Sequence, residues 1–127
     1  MPTKPTTDRP TVNLSVLRGE CSAPPDVREL DSGRRVASLS VRVPTAGERA
    51  TSVPVTVWEP PAWVETLAAG DEIAVVGHVR RRFFRNAAGA TGARVEVEAE
   101  TITRARDRRR LAALRRRTDG ALDALEA

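Results

Sequence analysis

Apolar and polar residues alternate along most of the chain between Thr11 and Ile102, with the period of two that half-buried β-strands have. Four of the segments are short and mostly alternating. A fifth, at 73–79, is almost continuously apolar, as in a strand buried on both faces. We therefore predict five strands, near residues 12–16, 39–43, 53–58, 73–79 and 95–99.

The same alternation predicts which side chains of a strand face the core. Val53, Val55 and Val57 share one face of the third predicted strand, and Trp58 follows with the opposite parity. Trp58 is therefore expected on the outer face of the sheet.

One segment, EPPAWVETLAAGD at 59–71, predicts a short helix between the third and fourth strands. Its prolines suit a first helical turn, its Trp63, Val64 and Leu67 form an apolar cluster, and Gly70 favours a helix end. We expect Trp63 to lie in the core or at a subunit interface. Five strands with a helix between the third and fourth give the order of an all-β, five-stranded OB-fold barrel. Alternation alone also fits a small sandwich or an SH3-like barrel.

The composition changes after Ile102. The segment RARDRRRLAALRRR favours a helix in which Leu111 and Leu114 form a narrow apolar stripe, and Gly120 is expected to weaken its end. The chain has a net charge of +4, and all of the excess lies in residues 104–127, since residues 1–103 carry equal numbers of basic and acidic side chains. We predict a disordered lead at 1–10, an OB-fold domain at 11–103 and an Arg-rich helical extension at 104–127.

Several classes of function are disfavoured by what the sequence contains. Cys21 and His78 are the only residues of their types, which excludes an internal disulfide and a Cys/His zinc cluster. We expect Cys21 to be a structural, buried residue. No nucleophile–base pair or phosphate loop is recognisable, so we expect neither an enzyme nor a cofactor. No apolar run reaches the length of a membrane span, and the polar lead is unlike a signal peptide, so we expect a cytoplasmic protein.

The segment RRRFFR at 80–85 combines arginines with aromatic residues. A period of two places Arg80, Arg82 and Phe84 on one face of a strand, and Phe83, with the opposite parity, is expected to point inward. Arginine beside an exposed ring is typical of proteins that bind single-stranded nucleic acid. The guanidinium neutralises phosphates and the ring stacks on bases.

Glutamates alternate along the last predicted strand, at Glu96, Glu98 and Glu100. We expect this acidic row to mark a face away from nucleic acid. His78 is expected at the surface.

The residues that punctuate these segments resemble the bacterial single-stranded DNA-binding protein family. In that family an Asn opens a first strand that runs to a Gly, and a Pro-x-x-Arg-x-x-x-x-Gly hairpin follows. Later, Leu-x-x-Gly-Asp leads into a strand that ends in Gly, then a basic run, an aromatic residue and a glycine-bearing loop. The matching residues are Asn13, Gly19, Pro25, Arg28, Gly33, Leu67, Gly70, Asp71, Gly77, Arg80, Arg82, Phe84 and Gly89.

The resemblance implies an OB-fold that binds single-stranded DNA without sequence preference and stacks bases on aromatic side chains. It also implies a homo-oligomer, a dimer or tetramer, that acts at the nucleoid in replication, recombination or repair. Trp58 and Phe84 stand where the family has stacking aromatics. The candidate DNA-binding residues are Trp58, Phe84, Arg80, Arg82, Arg85, Arg42, Arg28, Arg34 and Arg35.

The arginines of the C-terminal extension are candidates for a secondary nucleic-acid contact. They are Arg104, Arg106, Arg108, Arg109, Arg110, Arg115, Arg116 and Arg117. Two alternatives stay open: the helix packs on another subunit through its leucines, or it is a solvated extension.

The chain also departs from the family. Ser52 stands where the family often has a Trp at the start of the third strand, and the short loop between the second and third strands lacks its usual Trp. Family members end in an acidic tail with a Pro-Phe tip, whereas this chain ends in an Arg-rich helix, as in a paralogue with weaker binding and without the usual partner docking. An RNA-binding OB module, or an oligomerisation or protein-interaction module with little nucleic-acid affinity, remain the alternative functions.

Overall fold

The computed structural model describes residues 9–127, so residues 1–8 of the predicted lead lie outside the described residues. Six strands come first, and one α-helix follows them. The strands are β1 (Ser15–Cys21), β2 (Asp26–Glu29), β3 (Arg35–Val43), β4 (Thr51–Trp58), β5 (Glu72–Arg85) and β6 (Thr91–Arg104). The helix is α1 (Arg108–Leu122), and two short 3-10 helices span Ala62–Thr66 and Asp123–Glu126.

The strands form one sheet in the order β1-β5-β6-β4-β3-β2. Neighbours are antiparallel except β4 and β6, which are parallel. The end of β1 also pairs with β3, through Glu20 with Arg42 and Cys21 with Val41. This architecture is consistent with an OB-fold.

The prediction of a five-stranded barrel is wrong in its strand count. The additional strand is β2, which lies in the segment expected to connect the first two strands and pairs with β3 over four residues. The elements form one six-stranded sheet rather than a fully closed barrel, because only two residue pairs join β1 to β3.

The core lies on the sheet face that the alternation predicts. Val55 and Val57 of β4 are buried, and they pack with Ala37, Leu39 and Val41 of β3. Cys21 is fully buried at the end of β1, and burial raises the pKa of its thiol. The prediction that Cys21 is buried is therefore confirmed.

The segment predicted as a helix over 59–71 contains a five-residue 3-10 helix between β4 and β5. Leu67 takes an extended conformation and ends it after little more than one turn. Val64 is fully buried, and Trp63 packs against the core with the Arg104 guanidinium 5.2 Å from its ring centroid.

β5 and β6 are 14 residues each, which is twice the predicted length for β5 and almost three times that for β6, and they pair along almost their whole extent. Pairing of β5 with β1 ends at Gly77, and pairing of β6 with β4 is confined to Val97 and Glu98. Residues 79–97 are therefore mostly a two-stranded hairpin that projects from the sheet. We call this hairpin the arm.

The C-terminal helix predicted from the leucine stripe is present. Asp107 caps it by accepting a hydrogen bond from the Arg110 backbone amide, and the helix continues past Gly120 to Leu122. α1 packs against β5 and β6 through Leu114, which is 8% exposed, and through the half-buried Leu111. Among the described residues, no helix is long and apolar enough to cross a membrane.

Leu114→Ala tests whether this one contact holds α1 on the sheet. Removing a buried leucine side chain and leaving a cavity is expected to lower the free energy of unfolding by roughly 2–3 kcal/mol. Urea unfolding followed by far-UV circular dichroism measures the change. The control is Leu122→Ala, since Leu122 is 39% exposed. Equal losses in the two variants would contradict docking through Leu114.

Candidate nucleic-acid interface

The candidate residues converge on the outer face of the sheet, opposite to the core. Thr56 and Trp58 point to this face because Val55 and Val57 of the same strand face the core. The arm approaches the same face. Thr56, Trp58, Arg80, Arg82 and Glu96 all line one hollow of about 340 Å³ there, together with Arg81 and Phe83.

Trp58 is partly exposed and is held by the hairpin between β2 and β3. The Arg34 guanidinium lies 4.3 Å from the indole centroid, and its Nε is 3.9 Å from Glu59 Oε1. This cation–π contact covers one part of the ring and fixes its plane. Arg34 and Trp58, 24 residues apart in the chain, are therefore in contact.

Phe84 lies on the arm, directly across from Gly92. A Cβ atom built on Gly92 would lie 2.7 Å from Cζ of Phe84, so the ring occupies the space that any other residue at 92 would fill. Phe84 is 46% exposed and lines a second hollow of about 230 Å³ with Arg28, Ser38, Arg82 and Arg94. Arg82 lines both hollows. We call the surface formed by Trp58, Phe84, Arg28, Arg34, Arg80 and Arg82 the Trp58 face.

The prediction that Phe83 points inward is wrong. Phe83 is 73% exposed, with the Arg81 guanidinium 5.9 Å from its ring centroid. Phe83 pairs with Ala93, and both lie in the two-stranded part of the hairpin. The arm has no core on either side at this point, so parity does not bury one of the two phenylalanines.

The acidic row of β6 lies on the Trp58 face and not away from it, so that prediction is also wrong. The register across the hairpin pairs Arg80 with Glu96 and His78 with Glu98. Residues paired across an antiparallel ladder project to the same side. The register therefore places the glutamates among the arginines.

Glu96 is the most buried of these carboxylates, at 2% exposure. It accepts a hydrogen bond of 2.7 Å from the Thr56 hydroxyl, and its oxygens lie 3.8 Å from guanidinium nitrogens of both Arg82 and Arg94. Two cations and one donor surround the buried charge, which satisfies it. Sequence reasoning missed Thr56 and Arg94, because only the strand register brings them to Glu96.

Glu98 occupies the next position along the row. Its Oε2 accepts a hydrogen bond of 3.0 Å from Arg80 and lies 3.3 Å from His78 Nε2, while His78 Nδ1 lies 3.5 Å from Glu100. Arg80 and Arg82 are thus engaged by carboxylates already. The Trp58 face is therefore less positive than the arginines of 80–85 alone would make it.

Three candidate residues lie elsewhere. Arg42 donates a hydrogen bond of 2.7 Å to Glu20 where β1 meets β3, and Arg35 pairs with Glu65 of the first 3-10 helix. Arg85 is paired with Thr91 at the tip of the arm. Arg42 and Arg35 form ordinary surface ion pairs, which contribute little to stability.

The arginines of the extension line neither hollow of the Trp58 face. Arg104 is the end of β6 and is structural: it donates to Thr66, lies 3.7 Å from Asp71 and covers Trp63. Arg110 and Arg115 form ion pairs with Asp107 and Asp119, and Arg117 donates to Thr101.

The candidate site is thus a sheet with exposed rings set among arginines on one outer face, an arrangement typical of surfaces on which unpaired bases stack. Residues 12–105 match the family model described as the single-strand binding protein family. The chain belongs to this family, which binds single-stranded DNA.

A solved structure supports the assignment. The fold is similar to a crystal structure of a deletion mutant of the single-stranded DNA binding protein from Thermus aquaticus, with 27% sequence identity and a TM-score of 0.62. The match covers 80% of this chain and 45% of that chain, so the matched part spans less than half of the Thermus chain. Comparison with curated protein sequences gives no match.

The position of the Phe84 ring over Gly92 has a direct spectroscopic test. An α-proton beneath an aromatic ring is shielded, so the Gly92 α-proton resonances are expected upfield of their usual positions. Phe84→Leu should remove the shift, and Phe83→Leu should leave it unchanged, because Phe83 lies opposite Ala93. Two-dimensional NMR of the labelled protein measures both. A shift that follows Phe83 would contradict the placement of the rings.

Proposed function

We propose that this chain binds single-stranded DNA without sequence preference on the Trp58 face. The observation that carries the proposal is the convergence of two accessible rings, Trp58 and Phe84, with arginines from three separate segments on one surface. Arg34 comes from the hairpin after β2, Arg28 from β2 itself, and Arg80 and Arg82 from the arm.

In this proposal the rings provide most of the binding free energy. Each base that stacks on an aromatic side chain contributes ~1–3 kcal/mol, and every base offers a face for stacking, so binding tolerates any sequence. Arg28 and Arg34 neutralise phosphates on either side of the stacked bases, which makes the affinity fall with salt.

The glutamates of β6 set the balance between base stacking and phosphate contacts in the binding free energy. Because Glu96 and Glu98 engage Arg82 and Arg80, part of the positive field is cancelled before DNA arrives. We infer a salt dependence shallower than the number of arginines suggests, and an affinity that relies more on stacking than on phosphate contacts.

We further propose a role in replication, recombination or repair without catalysis, and a homo-oligomeric state. Exposed apolar side chains of the arm support self-association: Val79 and Val95 share the strand parity of Phe83 and are 42% and 59% exposed. A second copy that covers them would remove apolar area from water.

Substitution of the two rings tests the DNA-binding proposal. Trp58→Ala and Phe84→Ala are each expected to weaken binding to a labelled oligo-dT by about 5- to 150-fold, which corresponds to one lost stacking contact. Fluorescence anisotropy over a salt series, with duplex DNA and RNA as competitors, measures the affinity. Val16→Ala is the control, because it removes an exposed apolar side chain of β1 that lines neither hollow of the Trp58 face.

Sedimentation velocity at the working concentration identifies any variant that changes assembly, so loss of base contact and loss of oligomer are separated. If neither Trp58→Ala nor Phe84→Ala weakens binding more than Val16→Ala does, with assembly unchanged, the Trp58 face is not the binding site. Stronger competition by RNA than by DNA would favour the RNA-binding alternative.

Glu98→Gln tests the effect of the carboxylate row. Removing this charge frees Arg80 and removes a repulsion toward phosphate, so the affinity for oligo-dT at low salt is expected to rise roughly three- to tenfold. The salt slope should also become steeper. Glu48→Gln is the control, as it makes the same charge change in the loop between β3 and β4. Equal gains in both variants would mean that only net charge matters.

A further inference from the structure

The extension carries arginines that the fold itself does not use. Within the part of the chain that the structure describes, four of its guanidinium groups form no ion pair, hydrogen bond or ring contact. They belong to Arg106, Arg108, Arg109 and Arg116. All four are exposed. They contrast with Arg80 and Arg82 of the arm, which are engaged by glutamates.

These side chains are displayed on a fixed support. Leu114 is buried against the sheet and Asp107 caps the first turn, so α1 is a docked element rather than a free arm. Arg109 and Arg116 are seven residues apart and share one side of the helix, which leaves them on the side away from the leucines.

The placement of charge is unfavourable for the helix. Arg108, Arg109 and Arg110 stand in the first turn, and no acidic residue accompanies them there. The amino end of a helix carries partial positive charge, so cations in this turn oppose the dipole. Cations at this end instead strengthen the attraction of the helix for an external anion.

A cleft of about 700 Å³ adjoins this surface, between β1, the turn before β5 and the start of α1. Arg18, Arg104, Arg106 and Arg108 line it against two carboxylates, Asp71 and Glu72. No aromatic residue lines the cleft, and it shares no residue with either hollow of the Trp58 face. A ligand here meets charge and no stacking platform.

We propose that Arg106, Arg108, Arg109 and Arg116, which we call the helix surface, form a second nucleic-acid site that binds the phosphate backbone alone. Backbone contacts do not require unpaired bases, so this site accepts duplex and single strands alike. The protein then holds two nucleic-acid segments at once: a single strand on the Trp58 face, which rests on the proposed function, and a second segment on the helix surface.

The test uses two variants of the full chain that each lose four charges. The first carries Arg106, Arg108, Arg109 and Arg116→Gln. The second carries Arg28, Arg34, Arg80 and Arg85→Gln, which removes the same charge from the Trp58 face and the arm. Anisotropy of a labelled blunt duplex and of a labelled oligo-dT is measured for each, after circular dichroism has established that both are folded.

We expect the first variant to lose duplex affinity at least tenfold, with the duplex salt slope reduced by about one for each phosphate contact removed. The second variant should retain duplex binding and lose oligo-dT affinity. Wild-type protein bound to immobilised oligo-dT should retain a labelled duplex, and the first variant should not. Duplex binding that is absent from the wild type, or reduced equally by both variants, would overturn the second site. Failure of the Trp58 face would instead leave duplex binding intact.

Discussion

The close approach of two backbones at Gly77 is the constraint on which the candidate site depends. A Cβ atom at Gly77 would lie 2.0 Å from the Glu98 carbonyl oxygen, so no other residue fits without moving β6. The β5–β6 register shifts between Val76 and Gly77, which marks a bulge. Bulges bend strands and increase their twist. Beyond this point the hairpin leaves the sheet, and its Arg80, Arg82 and Phe84 reach the outer face where Trp58 lies.

Local patterns in the sequence predicted the parts of the fold that local rules determine. Alternation placed Val55 and Val57 inward and Trp58 outward, because parity within one strand needs no information about its neighbours. The register between β5 and β6 is not local, as it depends on the loop and on the bulge. The acidic row was therefore assigned to the wrong face. The prediction for Phe83 was wrong for a related reason. Parity buries a side chain only where another part of the protein packs on that face of the strand.

Charge in this molecule is arranged differently on its two ends. Residues 1–103 carry equal numbers of acidic and basic side chains. On the Trp58 face some of these form ion pairs, such as Arg80 with Glu98. The extension, which carries the net +4, has guanidiniums without partners in the described structure, at Arg106 and at Arg108, Arg109 and Arg116 of α1. The amino-acid composition alone does not distinguish arginines that form ion pairs from arginines that have no partner. One surface combines exposed rings with ion-paired arginines, and the other has exposed arginines without rings.

The Arg34 guanidinium over Trp58 has a consequence for the protein when no DNA is bound. An exposed indole is an apolar surface that can associate with other apolar groups. A cation that lies against the ring covers part of that surface and opposes such association. In the proposed binding mode, an arriving base and Arg34 compete for the same ring. A base that displaces the guanidinium releases it beside the incoming strand, where phosphate is its nearest new partner. Protection of the empty platform and capture of the backbone are thus two positions of one side chain.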